Sequence, residues 1–489
     1  MLYKNNIAGQ RFHSDTDRGR HFSLRQGPWW LDYSRLCMSK AQREELLSRV
    51  EAHAMDSAFE RLFDGEIANP SERQPALHMA LRAAEPARFP GADPDGSLVA
   101  ERERFLQLAD DLHSGRRGLT DLVHLGIGGS DLGPRLVADA LSEGDSRVRV
   151  HWVSTVDGRR MEHLLQNLDP QSTGILVASK SFSTEETLTQ ASALRDWLGE
   201  RFESQAWAAT ANRAKAMEFG VASDSVLPFP NWTGGRFSLW SSVGFSAAVE
   251  IGAERFRALL DGAAQADEAV RNMPDERSVA IMVALLIHYL RRVQGLNTLG
   301  VIAYDPRLAL LSDYLQQLIM ESLGKGVDLT DAPLERPTSP LIFGGRGTDM
   351  QHSIFQALHQ APDSHPLLLV GSLTDTHSWP EWHRVQFNHL LAQATAFARG
   401  RPSEETFRVL PGDRPVSLLV TESVTPLTLG WLLATFEHAV YALSVLWNIN
   451  PFDQWGVEEG KRLAGHYRDF DADSLSAWLE LAREMIAKD

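Results

Sequence analysis

The sequence predicts an α/β fold: two units, each a parallel sheet covered on both faces by helices, wrapped by N- and C-terminal helices. Three observations lead there. Short apolar runs ending in glycine or polar residues alternate with segments of helical spacing between residues 120 and 265. The same alternation returns after a helical stretch at 266–293. A chain of 489 residues, 43% apolar, can bury a large core and divide into more than one domain.

In chain order, residues 1–110 read as a mostly helical region packing on the large domain. AQREELLSRVEAHAMDSAFERLF places Leu46, Leu47, Val50 and Ala54 at helical spacing, and EPARFPGADPDGS (85–97) is a loop. Residues 111–265 form the first α/β domain. LVHL (122–125), VRVHWV (148–153) and GILVASK (174–180) are its strands, and TEETLTQASALRDWL is a helix. Residues 266–435 form the second. LGVIAY (299–304), PLLLVGS (366–372) and VSLLVTE (416–422) are strands there, with a helix over about 306–323. Residues 436–489 are a C-terminal helical region. The apolar segments at 279–290 and 429–447 read as core helices, the first being short and the second carrying Glu437 and His438 at its middle.

Composition excludes several classes. A net charge of -16 disfavours general binding to nucleic acid or anionic membrane, while leaving room for a local anion pocket. The one cysteine, Cys37, excludes an intrachain disulfide and any multi-cysteine zinc site, and fits a cytoplasmic protein. The first residues, MLYKNNIAGQRFHSD, lack the apolar stretch of a signal peptide.

Six stretches carry chemistry. GIGGSDLGP (126–134) is glycine-dense after a strand. Asp131 stands where a dinucleotide fingerprint needs glycine, and Pro134 follows Gly133 where a P-loop needs lysine. An anion-binding turn and a plain strand–helix turn both remain open for it. SKSFSTEETL (179–188) opens a helix with Ser179, Lys180, Ser181 and Thr184, and Ser183 with Glu186 fits a capping box. That density of donors suits a phosphate; an ordinary cap with a solvated lysine is the alternative. In TGGRFSLWSSVG (233–244), Arg236 can face an oxyanion or form a structural salt bridge. In QQLIMESLGK (316–325), Gln317 and Glu321 share a helix face distinct from that of Leu308, Leu311, Leu315 and Leu318. Glu321 sits where the helix dipole disfavours a carboxylate, as a working acid or as a solvated residue near Lys325. In GTDMQHSIFQALHQ (347–360), Ile354, Phe355 and Leu358 face the core, and His352 and His359 share a face. His352 is an acid/base candidate or a structural histidine, and no metal motif completes around it. PFDQWGVEEGK (451–461) sets Gln454 and Lys461 seven apart; Lys461 can equally be a surface lysine.

In this order the six stretches resemble the glucose-6-phosphate isomerase family over roughly residues 65–465, with weaker matches at ALHMALR (76–82) and FEHAVYALSVLW (436–447). The resemblance implies two sugar-isomerase (SIS-type) αβα domains, a homodimer, and cofactor- and metal-free interconversion of glucose 6-phosphate and fructose 6-phosphate. It implies Glu321 as the base between C1 and C2, and Arg236 as the stabiliser of the enediolate. His352, from the neighbouring subunit, and Lys461 would serve ring opening. Ser179, Lys180, Ser181, Ser183 and Thr184 would grip the phosphate, with Gly129, Ser130, Gly235, Gln317 and Gln454 as further substrate contacts. This chain departs from the usual pattern at Ser181, Ser183, Leu323, Gly345, Arg346, Asp349, Met350 and Glu459. The chemistry is coherent: a carboxylate can move a proton next to a carbonyl, a fixed cation stabilises an enediolate, and histidine exchanges protons near neutrality. A non-catalytic sugar-phosphate sensor would need the phosphate loop but not the whole acid/base set. A nicotinamide dehydrogenase fails on Asp131. Side activity on mannose 6-phosphate is left open.

Overall fold

The computed structural model describes residues 17–273, 275–468, 480 and 482–485. The chain first makes an antiparallel hairpin, β1 (Ser23–Gln26) and β2 (Trp29–Asp32). Then β3 (Asp121–Leu125), β4 (Arg149–Val153), β5 (Thr173–Ala178), β6 (Ala206–Thr210) and β7 (Val226–Pro228) form a parallel sheet in the order β4-β3-β5-β6-β7. Finally β8 (Thr298–Ala303), β9 (Leu341–Arg346), β10 (Leu367–Ser372) and β11 (Val416–Thr421) run parallel to one another. The hairpin joins them through β2, antiparallel to β11, in the order β1-β2-β11-β10-β8-β9.

Alternation along the strands shows why both faces are covered. On β3 and β5, Val123, Leu125, Ile175 and Val177 face one apolar cluster, while Leu122, Leu176 and Ala178 face another. In the second sheet, Ile302, Leu367, Leu369, Leu418 and Val420 face a cluster of their own. Val301, Ala303, Leu368, Val370 and Leu419 face the large cluster that also receives Leu122 and Leu176. That shared core locks the two sheets together.

The sequence pattern marks β3, β4, β5, β8, β10 and β11. It passes over β6, which is alanine-rich, β7, which has three residues, and β9, whose LIFGGR carries two glycines. The hairpin lies within the segment read as mostly helical. The helix beginning with the Ser39–Gln42 capping box stops at Ala52. Ala54 then takes a left-handed conformation (φ 46°) before a new helix, Met55–Phe63, so it breaks the helical run.

The two apolar segments are core helices. Val279–His288 is buried throughout. Pro426–Trp447 is long and apolar enough to cross a membrane, yet 89% of its most apolar window is buried in the protein. It runs through position 436 without a break. Its close approach to the helix Ala253–Asn272 needs glycine on both sides. A Cβ on Gly262 would lie 2.0 Å from the Leu427 carbonyl oxygen, and one on Gly430 would lie 1.9 Å from that of Leu259.

Strand order positions the site. From β3 the chain continues to β4 on one side, while β5 lies on the other, so a crevice opens at their C-terminal ends. The stretches 126–130 and 179–184 follow β3 and β5 there. The second sheet makes the same reversal between β8 and β10, and the helix Leu311–Leu323 follows β8.

Candidate active site

Beyond β5, residues 179–184 turn sharply at Phe182 (φ 47°), whose ring is buried, and lead into the helix Glu185–Leu198. The capping box expected from Ser183 and Glu186 does not form. The helix starts one residue later, with Thr184 as its N-cap and no side-chain cap bond. The hydroxyls pair with each other instead: Ser179 Oγ with Thr184 Oγ1 at 3.1 Å, and Ser181 Oγ with Ser183 Oγ at 2.7 Å. The Thr184 side chain thus does not cap the first turn, and a helix N-terminus beside paired hydroxyls suits an anion. Lys180 is half-buried beside this turn. Burial lowers its ammonium pKa, with the charge of Glu72 opposing.

Arg236 lies in a single 3₁₀ turn, Gly235–Phe237, that packs against the 3₁₀ turn Gly128–Ser130. Contact is close: a Cβ on Gly129 would fall 2.1 Å from the Gly235 carbonyl oxygen. The Arg236 side chain is 1% exposed, and each of its nitrogens donates. Nε bonds Ser322 Oγ at 2.6 Å. Nη1 bonds Glu321 Oε1 at 2.8 Å and Gln454 Oε1 at 2.9 Å. Nη2 bonds the carbonyl oxygens of Pro451 and Asp453. Burial lowers the Arg236 pKa against the opposing charges of Glu321 and Asp453. Glu321 keeps 23% of its side chain exposed and accepts from Gln317 Nε2 through its other oxygen, at 2.9 Å. The helix face predicted for Gln317 and Glu321 is thus the one turned to Arg236, while Leu308, Leu311, Leu315 and Leu318 are fully buried.

Two cavities meet at Gln454. One, of about 580 Å³, is lined by Glu321, Lys325, Asp453 and Gln454. The other, of about 610 Å³, is lined by Ser181, Ser183, Thr184, Gln454 and Lys461. Lys461 sits in the helix Glu458–Arg468 with its side chain 63% exposed and paired to Glu458 at 2.7 Å. His352 stands apart. It is exposed, caps the short helix Gly347–Gln351, and lines neither cavity. The helix expected to carry His352 and His359 together is interrupted, resuming at Phe355–Gln360. His359 is structural: it stacks on Phe397 at 3.8 Å and bonds Gln393 at 3.0 Å. Phe355 and Leu358 are buried and Ile354 is half-buried, as their spacing predicts.

Several residues of the site were not singled out as site residues by the sequence. Asp453 Oδ1 accepts from Lys325 Nζ at 2.7 Å, and its Oδ2 accepts from Ser71 Oγ at 2.6 Å and Asn450 Nδ2 at 2.7 Å. This fixes the loop whose carbonyls hold Arg236. His124 Nε2 donates to the Ser130 carbonyl at 2.7 Å, and its Nδ1 accepts from Ser246 Oγ at 2.9 Å. Burial takes its pKa down to about 4, so it stays neutral and ties the glycine turn to β3. The sequence signal was faint: Lys325 and Asp453 lie inside quoted motifs, whereas His124 looks like any strand residue. Leu323 is buried in the core and Gly345 takes φ 150° against Met350, so these departures from the family pattern are accommodated by packing.

Among the described residues, Asp375, His377 and His383 approach closely enough to share a metal ion. Asp375 is engaged by Arg307 at 3.1 Å, and His377 Nδ1 accepts the Trp379 N–H at 2.9 Å. None of the three lines either cavity.

A sequence profile of the family described as phosphoglucose isomerase matches residues 32–477. The glucose-6-phosphate isomerase of Stenotrophomonas maltophilia (strain R551-3) is 44% identical over 477 residues, covering 97% of this chain and 94% of the relative. That of Xanthomonas campestris pv. campestris (strain B100) is 42% identical with the same coverage. The crystal structure of a glucose-6-phosphate isomerase from Chlamydia trachomatis superposes with a TM-score of 0.85 at 29% identity, covering 99% of this chain and 96% of that one.

Proposed function

We propose that this chain, which belongs to the phosphoglucose isomerase family, interconverts glucose 6-phosphate and fructose 6-phosphate through ring opening and an enediolate. The observation that carries the reading is the Glu321 carboxylate, held at a cavity wall between Arg236 and Gln317. Glu321 takes the proton from C2 of the open-chain aldose and returns it to C1. The negative charge that develops on the sugar oxygens is met by Arg236, whose contacts hold it rigidly in place before reaction. The phosphate is gripped remotely by residues 179–184 and Lys180, so binding energy orients the reacting carbons.

Ring opening needs a proton donor to the ring oxygen and an acceptor for the anomeric hydroxyl. We assign these to His352 and Lys461. Lys461 lies at the rim of the phosphate-side cavity. His352 is supplied by a second copy in a homodimer, a reading favoured by its exposure and by its absence from the lining of the cavity that holds Glu321. Ser130, Gly129, Gly235 and Gln454 complete the substrate contacts. Residues 111–265 and 266–435 serve as the phosphate-loop and base-bearing sugar-isomerase domains of a cytoplasmic enzyme that uses neither metal nor organic cofactor.

Turnover of fructose 6-phosphate, coupled to glucose-6-phosphate dehydrogenase, tests the activity. Unchanged rates in excess chelator are expected, and sugar-phosphate binding without turnover would favour a sensor. Shared sites are tested by mixing Glu321→Gln chains with His352→Ala chains. Random re-pairing restores one intact site in each mixed dimer, so about a quarter of wild-type activity should return. No return would remove His352 from the partner's site.

A further inference from the structure

The two weak sequence matches, ALHMALR and FEHAVYALSVLW, meet in space. Arg82 is fully buried and forks onto two carboxylates from different helices. Its Nε and Nη2 bond Asp267 at 2.8 and 2.5 Å, and Nη1 bonds Glu437 at 2.5 Å. His438 Nε2 donates to Asp267 at 2.7 Å. None of these four residues lines either cavity. A buried charge cluster of this kind gives little net stability over an apolar core, which raises the question of what else it does.

The cluster reaches the turn that bears Arg236. Glu437 accepts Trp240 Nε1–H at 2.8 Å, and the Arg82 guanidinium lies 4.6 Å from the Trp240 ring centre. His78 stacks on Phe237 at 4.6 Å, and Phe237 packs on Phe452 at 5.4 Å. Phe452 sits between Pro451 and Asp453, whose carbonyls hold Arg236. Between Arg236 and Trp240 the backbone makes successive tight turns, Ser238 N to Gly235 O and Ser241 N to Ser238 O. His78 Nε2 in turn lies 3.7 Å from Glu437 Oε2, so Phe237 and Trp240, which follow Arg236 in the chain, are both tied to the same cluster.

We infer that Arg82 and Glu437 are positioning residues, which through Trp240, Phe237 and His78 set the Arg236 guanidinium in register with Glu321 and with the charge that develops on the substrate. The inference rests on the isomerase reading, which the coupled assay on the wild-type enzyme tests separately.

Trp240→Phe removes the N–H that Glu437 holds while keeping a ring under Arg82. Two ligands read the consequence in the folded variant: a planar sugar-phosphate hydroxamate that mimics the enediolate, and a hexitol 6-phosphate that does not. Hydroxamate affinity and kcat should each fall about tenfold, with hexitol-phosphate affinity changing less than about twofold. A parallel loss of both affinities would indicate general loosening and overturn the inference, as would no loss in either. If Trp240→Phe does not fold, Glu437→Gln decides by the same pair of affinities.

Discussion

Two buried arginines organise this molecule, and they differ in what they leave free. Arg82 spends its donors on two carboxylates that are themselves buried, and burial seals that cluster from solvent. Arg236 spends most of its donors on carbonyl, amide and hydroxyl oxygens and only one on a carboxylate, Glu321, which still opens to a cavity. The same kind of ion pair is thus sealed in one place and open to a cavity through its carboxylate in the other. Access and the neutrality of the remaining partners make the difference. Neutral oxygens fix the guanidinium without cancelling its charge, which under the proposed mechanism remains to stabilise an anion forming beside Glu321.

Breaking the open cluster has the larger effect. Arg236→Lys keeps a charge but cannot reproduce five donors in a planar fork. Its kcat should fall about 10²- to 10³-fold in a folded protein, by steady-state kinetics; near-normal kcat would equate the two arginines. Lys180→Ala should raise KM by about 10- to 100-fold with a smaller change in kcat, since it removes the charged contact proposed for the non-reacting end of the substrate. A loss in kcat alone would move Lys180 into the chemistry.

The sealed cluster should speak through pH. Burial pushes the Glu437 carboxyl from 4.5 up to about 7 despite the opposing Arg82 charge. The folded protein then holds this proton more tightly than the unfolded chain. The contribution is complete below about 4.5 and is lost as pH rises through about 7. His78 and His438, whose pKa values burial lowers, act in the opposite sense, so the informative quantity is a difference. Between pH 5 and 7, wild type should lose chemical-denaturation stability relative to Glu437→Gln. A flat difference would place the Glu437 proton elsewhere.

Much of this was legible in the sequence because it is patterned. The strands that are continuous apolar runs, and the helix faces of Leu311–Leu323, follow from the sequence pattern alone. The failures have physical causes. The alanine-rich β6 and the glycine-bearing β9 carry little intrinsic strand preference and form because neighbours complete the sheet. The hairpin is drawn onto β11 by pairing nearly 400 residues distant along the chain (Trp29 with Thr421). At 179–184 the cap chemistry predicts a Ser183–Glu186 capping box, whereas the hydroxyls pair among themselves and the helix starts one residue later, after Thr184. The motifs named Arg236 and Glu321, but only three dimensions show that Pro451, Asp453 and Ser322 hold the arginine. Arg82 and Glu437, 355 positions apart, had no local signal that they meet.

The central claim is that Glu321 moves the proton. Fructose 6-phosphate incubated with the enzyme in deuterium oxide, followed by proton NMR at C1, reports that transfer directly. Wild type should exchange the C1 hydrogen with solvent while forming glucose 6-phosphate. Glu321→Gln should lose both exchange and isomerisation, on the order of 10³-fold, while still binding fructose 6-phosphate. Exchange at C1 near the wild-type rate in that variant would contradict the assignment.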